Sequence, residues 1–261
     1  MGHRAVVRIA SFNILHGRSL EDGRVDVDRL AAAVKSLDAD VLGLQEVDRD
    51  QPRSMGADLT AVAAEAMGAE HSQFVAAISG TPGGTWMAAT GEEQPGAASY
   101  GISLLSRYPV ISWRVVRLAP LNARVPLWSP DSRRPFLLHD EPRVAVAAVL
   151  DGPFGQFTVC NTHLTFVPRW NTRQLRTLVR SLDGTPEPLV LMGDLNMQQK
   201  AAVRHSGLES IAAGATFPAP RPTRQLDHVL VRGKLRATGP AEAVRLPLSD
   251  HRALVVRVEP D

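Results

Sequence analysis

Cysteine is nearly absent: the chain of 261 residues contains one, Cys160. That excludes an intramolecular disulfide and a cysteine-built zinc cage. Cys160 ends the run Phe157-Thr158-Val159-Cys160, where it reads as a small core residue rather than a nucleophile. Long apolar runs are missing too. No segment approaches the ~18 apolar residues that a membrane helix needs. The opening Met1-Gly2-His3-Arg4 leads straight into a strand-like stretch, without the apolar core of a signal peptide. The expectation is a cytoplasmic protein, a monomer, with no transmembrane segment. Charge of one sign is also scarce. The 29 basic and 27 acidic residues leave a net +2, too weak a bias to argue nucleic-acid binding from net charge. The arginines read as scattered and mostly solvated, with a small cluster at Arg133-Arg134.

What is present is an alternation of short apolar strands and amphipathic helices. Ala5–Ile14 reads as a strand, and a helix follows from about Asp26, with Val27, Leu30, Val34 and Leu37 at helical spacing. Asp40–Glu46 is a buried strand that turns polar only at its C-terminal end. The pattern continues with a helix over Asp58–Met67 and strands at His71–Ser79, Tyr100–Ser106 and Val110–Leu118. Arg143–Leu150 and Gln156–His163 form a hairpin across Asp151–Gly155. After a helix over Pro168–Leu182 come a strand ending at Asp194, a short helix near Gln198–His205, and strands at Asp227–Val231, Arg236–Leu246 and His251–Val258. Gly80–Ala98 and Ala119–Pro142 read as irregular and are expected to shape a substrate mouth. With no repeat or linker, the chain reads as one domain over 1–261. Its class is α/β (α+β), with two sheets packed face to face.

Polar residues recur where these strands end. They are Asn13 after Ser11-Phe12, Glu46 after Leu44-Gln45, Asn161 and His163 after Phe157–Cys160, and Asp194 and Asn196 after Leu189–Met192. Asp227 and Asp250-His251 stand immediately before apolar runs. Carboxylates and amides in such positions tend to converge on one rim of a sheet. Oxygen ligands without thiolates suit Mg2+ or Mn2+ rather than a structural zinc. Each residue alone has a plain structural reading, Asp194-Leu195-Asn196 as a turn and His163 as a satisfied core histidine; their joint occurrence favours a site.

Seven short motifs then carry a resemblance. Ser-Phe-Asn-Ile (11–14), Leu-Gln-Glu-Val (44–47), Tyr-Gly-Ile-Ser-Leu-Leu-Ser-Arg (100–107), Asn-Thr-His-Leu (161–164), Gly-Asp-Leu-Asn (193–196), Leu-Asp-His-Val (226–229) and Ser-Asp-His (249–251) resemble the motif series of the endonuclease/exonuclease/phosphatase superfamily. The resemblance implies a four-layer sandwich of two mixed β-sheets flanked by helices, with the site at one rim. It implies a hydrolase that uses Mg2+ or Mn2+ on a phosphate ester. Glu46 would be the principal metal ligand, with Asn13 close by and Asp250 ligating directly or through water. Asp194 would orient or deprotonate the attacking water, and Asn196 would hold a non-bridging phosphate oxygen. His251 would face the phosphate with Asp227 as its carboxylate partner, and His163 would contact the phosphate or assist the leaving group. Tyr100 and Arg143 are further candidates for substrate contact, Arg143 within a Glu141-Pro142-Arg143 element. His228 reads as a packing variant.

The substrate stays open between nucleic acid and a lipid-headgroup or small-molecule phosphate ester. Trp86, Trp128 and Trp170 in or beside expected loops, and Arg133 and Arg134, are candidates to meet it, or are satellite packing and surface charge. The alternative function is a binding module for phosphate or nucleic acid on the same fold. Retention of Glu46, Asp194, Asn196, Asp250 and His251 speaks against it.

Overall fold

The computed structural model of the chain describes residues 6–122, 124–129 and 134–261. With strands numbered in chain order, the first sheet runs β14 (Leu235–Ala237), β16 (Ala253–Pro260), β1 (Val7–Asn13), β2 (Val41–Arg49), β5 (Ser99–Ser106), β3 (His71–Gly80) and β4 (Trp86–Ala88). In addition, β15 (Glu242–Val244) pairs with β16. The second sheet runs β12 (Glu209–Ser210), β13 (Asp227–Arg232), β11 (Leu189–Asp194), β10 (Gly155–His163), β9 (Arg143–Gly152) and β6 (Val110–Leu118). A separate hairpin joins β7 (Arg124–Ser129) and β8 (Arg134–His139).

Each sheet is mixed, with one parallel pair: β1 with β2, and β10 with β11. Parallel neighbours need a crossover, and α1 (Val27–Leu37) and α3 (Trp170–Ser181) lie in the two connections. The helices begin where the chemistry allows: the Asp26 carboxylate accepts the N–H groups of Asp28 and Arg29 at the start of α1. Asp58 does the same for Thr60 and Ala61 in α2 (Leu59–Met67).

Strand residues alternate between two destinations. Val7 and Ile9, Val144 and Val146, Val190 and Met192, and Val229 and Val231 point into the core shared by the two sheets. Ala10, Phe12, Leu42 and Leu44 instead face α1 and α2. Ala145, Leu189, Leu191 and Leu230 face α3 and α4 (Gln199–Ser206). Burial on both faces explains why these strands read as continuous apolar runs rather than as polar–apolar alternation. The result is the four-layer sandwich that the motif series implied.

One polar tie crosses the shared core. Asn161 of β10 donates to the carbonyls of Leu44 on β2 and Ser103 on β5, at 2.9 and 2.8 Å, and accepts from the Gln45 amide at 2.7 Å. A Cβ on Gly43 would lie 2.8 Å from the Asn161 side chain, so this approach needs glycine there.

Several boundaries differ from the sequence reading. The stretch Ala119–Pro142 contains the β7–β8 hairpin, with Pro126 and Pro135 inside its strands. A two-stranded ribbon has only edges, so a proline can sit where no partner needs its missing N–H. Arg236–Leu246 is not one strand but β14 and β15, interrupted at Gly239-Pro240. Gly80–Ala98 contributes β4, which pairs with β3. Ala5, Met1–Arg4 and Arg133 lie outside the described residues, as do the side chains of Trp128 and Arg134.

Candidate active site

The parallel strands β1, β2, β10 and β11 end at one rim. Their antiparallel neighbours β9, β13 and β16 begin there, Asp227 standing directly opposite Asp194 in the register. This crossing of strand ends brings polar residues from distant parts of the chain together.

Local backbone geometry then aims each side chain. Glu46 is the extra residue of a β-bulge between Gln45 and Val47, with φ 58°, so its carboxyl leaves the pleat at the rim. Gly193 has φ 139°, and a Cβ there would lie 1.9 Å from the Thr162 carbonyl oxygen, so only glycine lets β11 pass β10 just before Asp194. Asn196 takes φ 50°, a conformation asparagine tolerates, and its N–H donates to Asp194 Oδ1 at 3.0 Å.

Asp194 is the hub. Its Oδ2 accepts from Asn13 Nδ2 at 3.2 Å and lies 3.6 Å from His163 Nε2 and 3.7 Å from His251 Nε2. Asn13 Nδ2 also donates to Glu46 Oε1 at 2.9 Å, which links the two carboxylates through one amide. Asn13 is held by the hydroxyl of Ser249, which donates to its backbone carbonyl at 2.6 Å. The same hydroxyl accepts the N–H of His251 at 3.0 Å. His251 Nδ1 meets Asp227 Oδ2 at 2.8 Å, and Phe217 packs on the ring with centroids 4.9 Å apart. Arg143 Nη1 donates to His163 Nδ1 at 3.3 Å. Asn196 Nδ2 lies 3.3 Å from the other ring nitrogen, Nε2, so donor groups face both nitrogens of His163.

These contacts shift proton affinities in different directions. Burial pushes the Asp194 carboxyl up to about 7, with the Asp227 charge adding to it and His251 opposing. For His251 burial disfavours the cation, but the Asp227 charge and hydrogen bond, with Asp194, outweigh it and hold the imidazolium up to about 10. His163 goes the other way: burial, then Arg143 and His251, keep it well below the ordinary histidine value. Burial raises Glu46, against the Asn13 hydrogen bond and with the help of Asp250. Two histidines in one site thus hold opposite charge states, one cationic and one neutral.

The rim opens on a cavity of about 240 Å3. Glu46, His163, Asp194, Asn196 and His251 line it, and Tyr100 and Arg143 reach it as well. Asn13 and Asp227 are buried behind these residues, and Asp250, half-buried, acts on Glu46 and His251 by its charge. Asn161 does not join them; it is the tie between the sheets. His228 is buried with Nε2 2.8 Å from the Met197 carbonyl oxygen. His139, Glu141 and Phe166 also line the cavity. His139 and Phe166 escaped the sequence reading. The available signal was spacing: positions 139, 141 and 143 share one face of an extended chain. Of the two irregular stretches expected at the mouth, only the second supplies lining residues among those described.

The family model described as the endonuclease/exonuclease/phosphatase family matches residues 10–251. Among solved structures, an endonuclease/exonuclease/phosphatase from Beutenbergia cavernae DSM 12333 is 23% identical, with a TM-score of 0.72 over 98% of this chain and 72% of that one. A mannosyl-6-phosphatase from Bacteroides thetaiotaomicron VPI-5482 is 17% identical, with a TM-score of 0.64 over 97% and 98% of the two chains. Sphingomyelinase C from Streptomyces griseocarneus is 16% identical, with a TM-score of 0.59 over 98% and 99%. At these identities the likeness is one of fold. No curated protein sequence matches the chain.

Proposed function

We propose that this chain, which belongs to the endonuclease/exonuclease/phosphatase family, is a divalent-metal-dependent phosphoesterase that hydrolyses a P–O bond. The observation that carries the reading is the placing of Asp194. A buried carboxylate, with its proton affinity raised to about 7, lies between a neutral and a cationic histidine on the wall of a cavity. A phosphate ester is an anion that repels nucleophiles, so its hydrolysis needs positive charge and a positioned water. A carboxyl that titrates near neutrality is suited to take a proton from that water.

The other residues divide the remaining work. Asp227 holds His251 as a cation facing the phosphate. Asn196 would donate to a non-bridging oxygen, with Asn171 anchoring its backbone carbonyl at 3.0 Å. His163 would contact the phosphate or the leaving group, braced between Arg143 on Nδ1 and Asn196 on Nε2. Tyr100 and Arg143 would bound the substrate.

The residues present fit a divalent cation. The Glu46 carboxylate is pushed up by burial and carries, among the described residues, a hydrogen bond only from Asn13 and no ion pair, although the charges of His251 and Arg143 offset part of that cost. Glu46 would hold the ion through oxygen, the chemistry that Mg2+ or Mn2+ prefers, with Asp250 directly or through water. Asn13, whose Oδ1 accepts the Leu15 N–H, would stand beside it and orient Glu46. When bound, the ion supplies Lewis-acid stabilisation to phosphoryl oxygens. Asp194, Asp227 and His251 also offer ligand atoms within 4.8 Å of one another. The Asp227–His251 bond already engages one atom of each, which favours the Glu46 side.

The test is hydrolysis of bis-p-nitrophenyl phosphate and p-nitrophenyl phosphate with Mg2+ or Mn2+. EDTA should abolish turnover, and Asp194→Asn should lower kcat on the order of 10²–10⁴-fold, the usual worth of a general base. An Asp194→Asn variant as active as wild type would sink the assignment.

A further inference from the structure

The near-zero net charge of the chain hides a segregated distribution. Residues 164–182 and 195–208, which contain α3 and α4, carry Arg169, Arg173, Arg176, Arg180, Lys200 and Arg204 and no aspartate or glutamate. The rest of the chain therefore holds all 27 acidic residues. All six cations are exposed.

Arg169 at the N-cap of α3 and Arg173, Arg176 and Arg180 within the helix follow one another at spacings of four, three and four residues. That puts them on one face of the helix in a row that spans roughly 16 Å at the rise of an α-helix. They are not a loose surface scatter. Arg169, Arg173, Arg176 and Arg180 form one wall of a groove of about 590 Å3 whose other lining includes His205 and Ser206 of α4. Internal contacts order the row: Arg173 stacks on Trp170, 4.7 Å from the ring centroid, Arg180 Nε donates to the Arg176 carbonyl at 3.2 Å, and Arg176 Nη2 lies 3.2 Å from His205 Nδ1.

The row starts at the catalytic rim. Asn171, in the first turn of α3, donates to the carbonyl of Asn196, and Gln174 accepts the N–H of Thr165 at 3.0 Å, beside the cavity residue Phe166. A polyanion with one phosphate in the cavity can therefore continue onto the arginines.

We propose that the α3–α4 groove binds the phosphodiester backbone of a nucleic-acid strand whose scissile phosphate occupies the catalytic cavity, which makes the chain a nuclease. The proposal rests on the phosphoesterase reading of that cavity. A lipid surface fits less well. Surface-binding helices place apolar side chains beside the basic ones, whereas the large exposed apolar residues among those described (Val6, Leu20, Met55, Met87, Ile111 and Val115) all lie off α3 and α4.

The experiment compares wild type with Arg173→Gln/Arg176→Gln/Arg180→Gln in EDTA, by fluorescence anisotropy of a labelled single-stranded oligodeoxynucleotide of about 12 nucleotides, over a salt series. The variant should bind roughly tenfold or more weakly, and its slope of log K against log salt should flatten by about two, as expected for three lost phosphate contacts. Its hydrolysis of bis-p-nitrophenyl phosphate with Mg2+ should match wild type, because that ester is too small to reach the groove. Equal affinity and equal slope in the two proteins would overturn the proposal. So would arginine-dependent sedimentation with phosphatidylserine vesicles alongside arginine-independent oligonucleotide binding, which assigns the groove to a membrane. Arginine-dependent oligonucleotide binding by a protein inert towards both nitrophenyl esters would support the groove and count against the phosphoesterase reading instead.

Discussion

At the scale of single residues, the site works by giving chemically identical side chains different environments. His251 and His163 both point a nitrogen at Asp194, yet a carboxylate stands behind one and a guanidinium behind the other. His16, just beyond β1, shows the same principle away from the chemistry. Burial, with Arg53 and Arg18, lowers its proton affinity to about 4 from an ordinary 6.5. The unfolded chain then binds the proton more readily between those values, so His16 withdraws stability as pH falls from about 6.5 to about 4. Asparagine suits the backbone at this position, where φ is 46°. His16→Asn should therefore flatten the fall in urea midpoint between pH 7 and pH 4.5 relative to wild type. Parallel pH curves for the two proteins would show that His16 does not carry this linkage.

At the scale of elements, the rim depends on how strands pass one another rather than on the strands themselves. Asn161, fully buried, donates to two carbonyls of the opposite sheet with one amide. Asn161→Ala removes its hydrogen bonds to Leu44, Ser103 and Gln45, each worth about 0.5–1.5 kcal/mol net. A loss of that size in urea or thermal unfolding is the expected result; a change below ~0.5 kcal/mol would mean that the tie is dispensable. This residue also shows where sequence reading reaches its limit. Asn161 and His163 stand two apart at the end of one strand and share a motif, yet one enters the shared core and the other the cavity. Nothing in the spacing separates those roles, since both lie on the same face of β10. The deciding fact is that Gly43 of the facing sheet leaves room for an amide beside Asn161. Strand and helix positions were legible because apolar periodicity encodes them. The β7–β8 hairpin was not, because a ribbon outside the main sheets needs no apolar alternation and accepts the prolines that read as loop.

At the scale of the molecule, the two main sheets and α1 to α4 form three apolar clusters among the described residues, one between the sheets and one under each helical layer. Cys160 lies in the cluster under α3 and α4, and burial alone pushes its thiol far above the ordinary range. It should react with a disulfide reagent such as DTNB only through opening of that layer. Native protein should thus label slowly, with a rate that rises steeply near the urea midpoint; rapid labelling without urea would mean that the layer is loose. The helical layers also differ in charge. The layer of α1 and α2 mixes signs, whereas that of α3 and α4 is basic throughout, which total charge conceals because the acidic residues lie elsewhere.

The sequence alone determined the class of fold, the family and the identity of the residues that meet at the rim, because periodicity, strand-end polarity and short motifs are properties of the local chain. Only the tertiary structure decided which of those residues face the cavity, which brace them from behind and which tie the sheets together. It also decided which histidine carries charge and which arginines share one groove. Those outcomes depend on distances between segments as far apart as Asn13 and Asp194, set by strand register, a bulge at Glu46 and the close pass at Gly193.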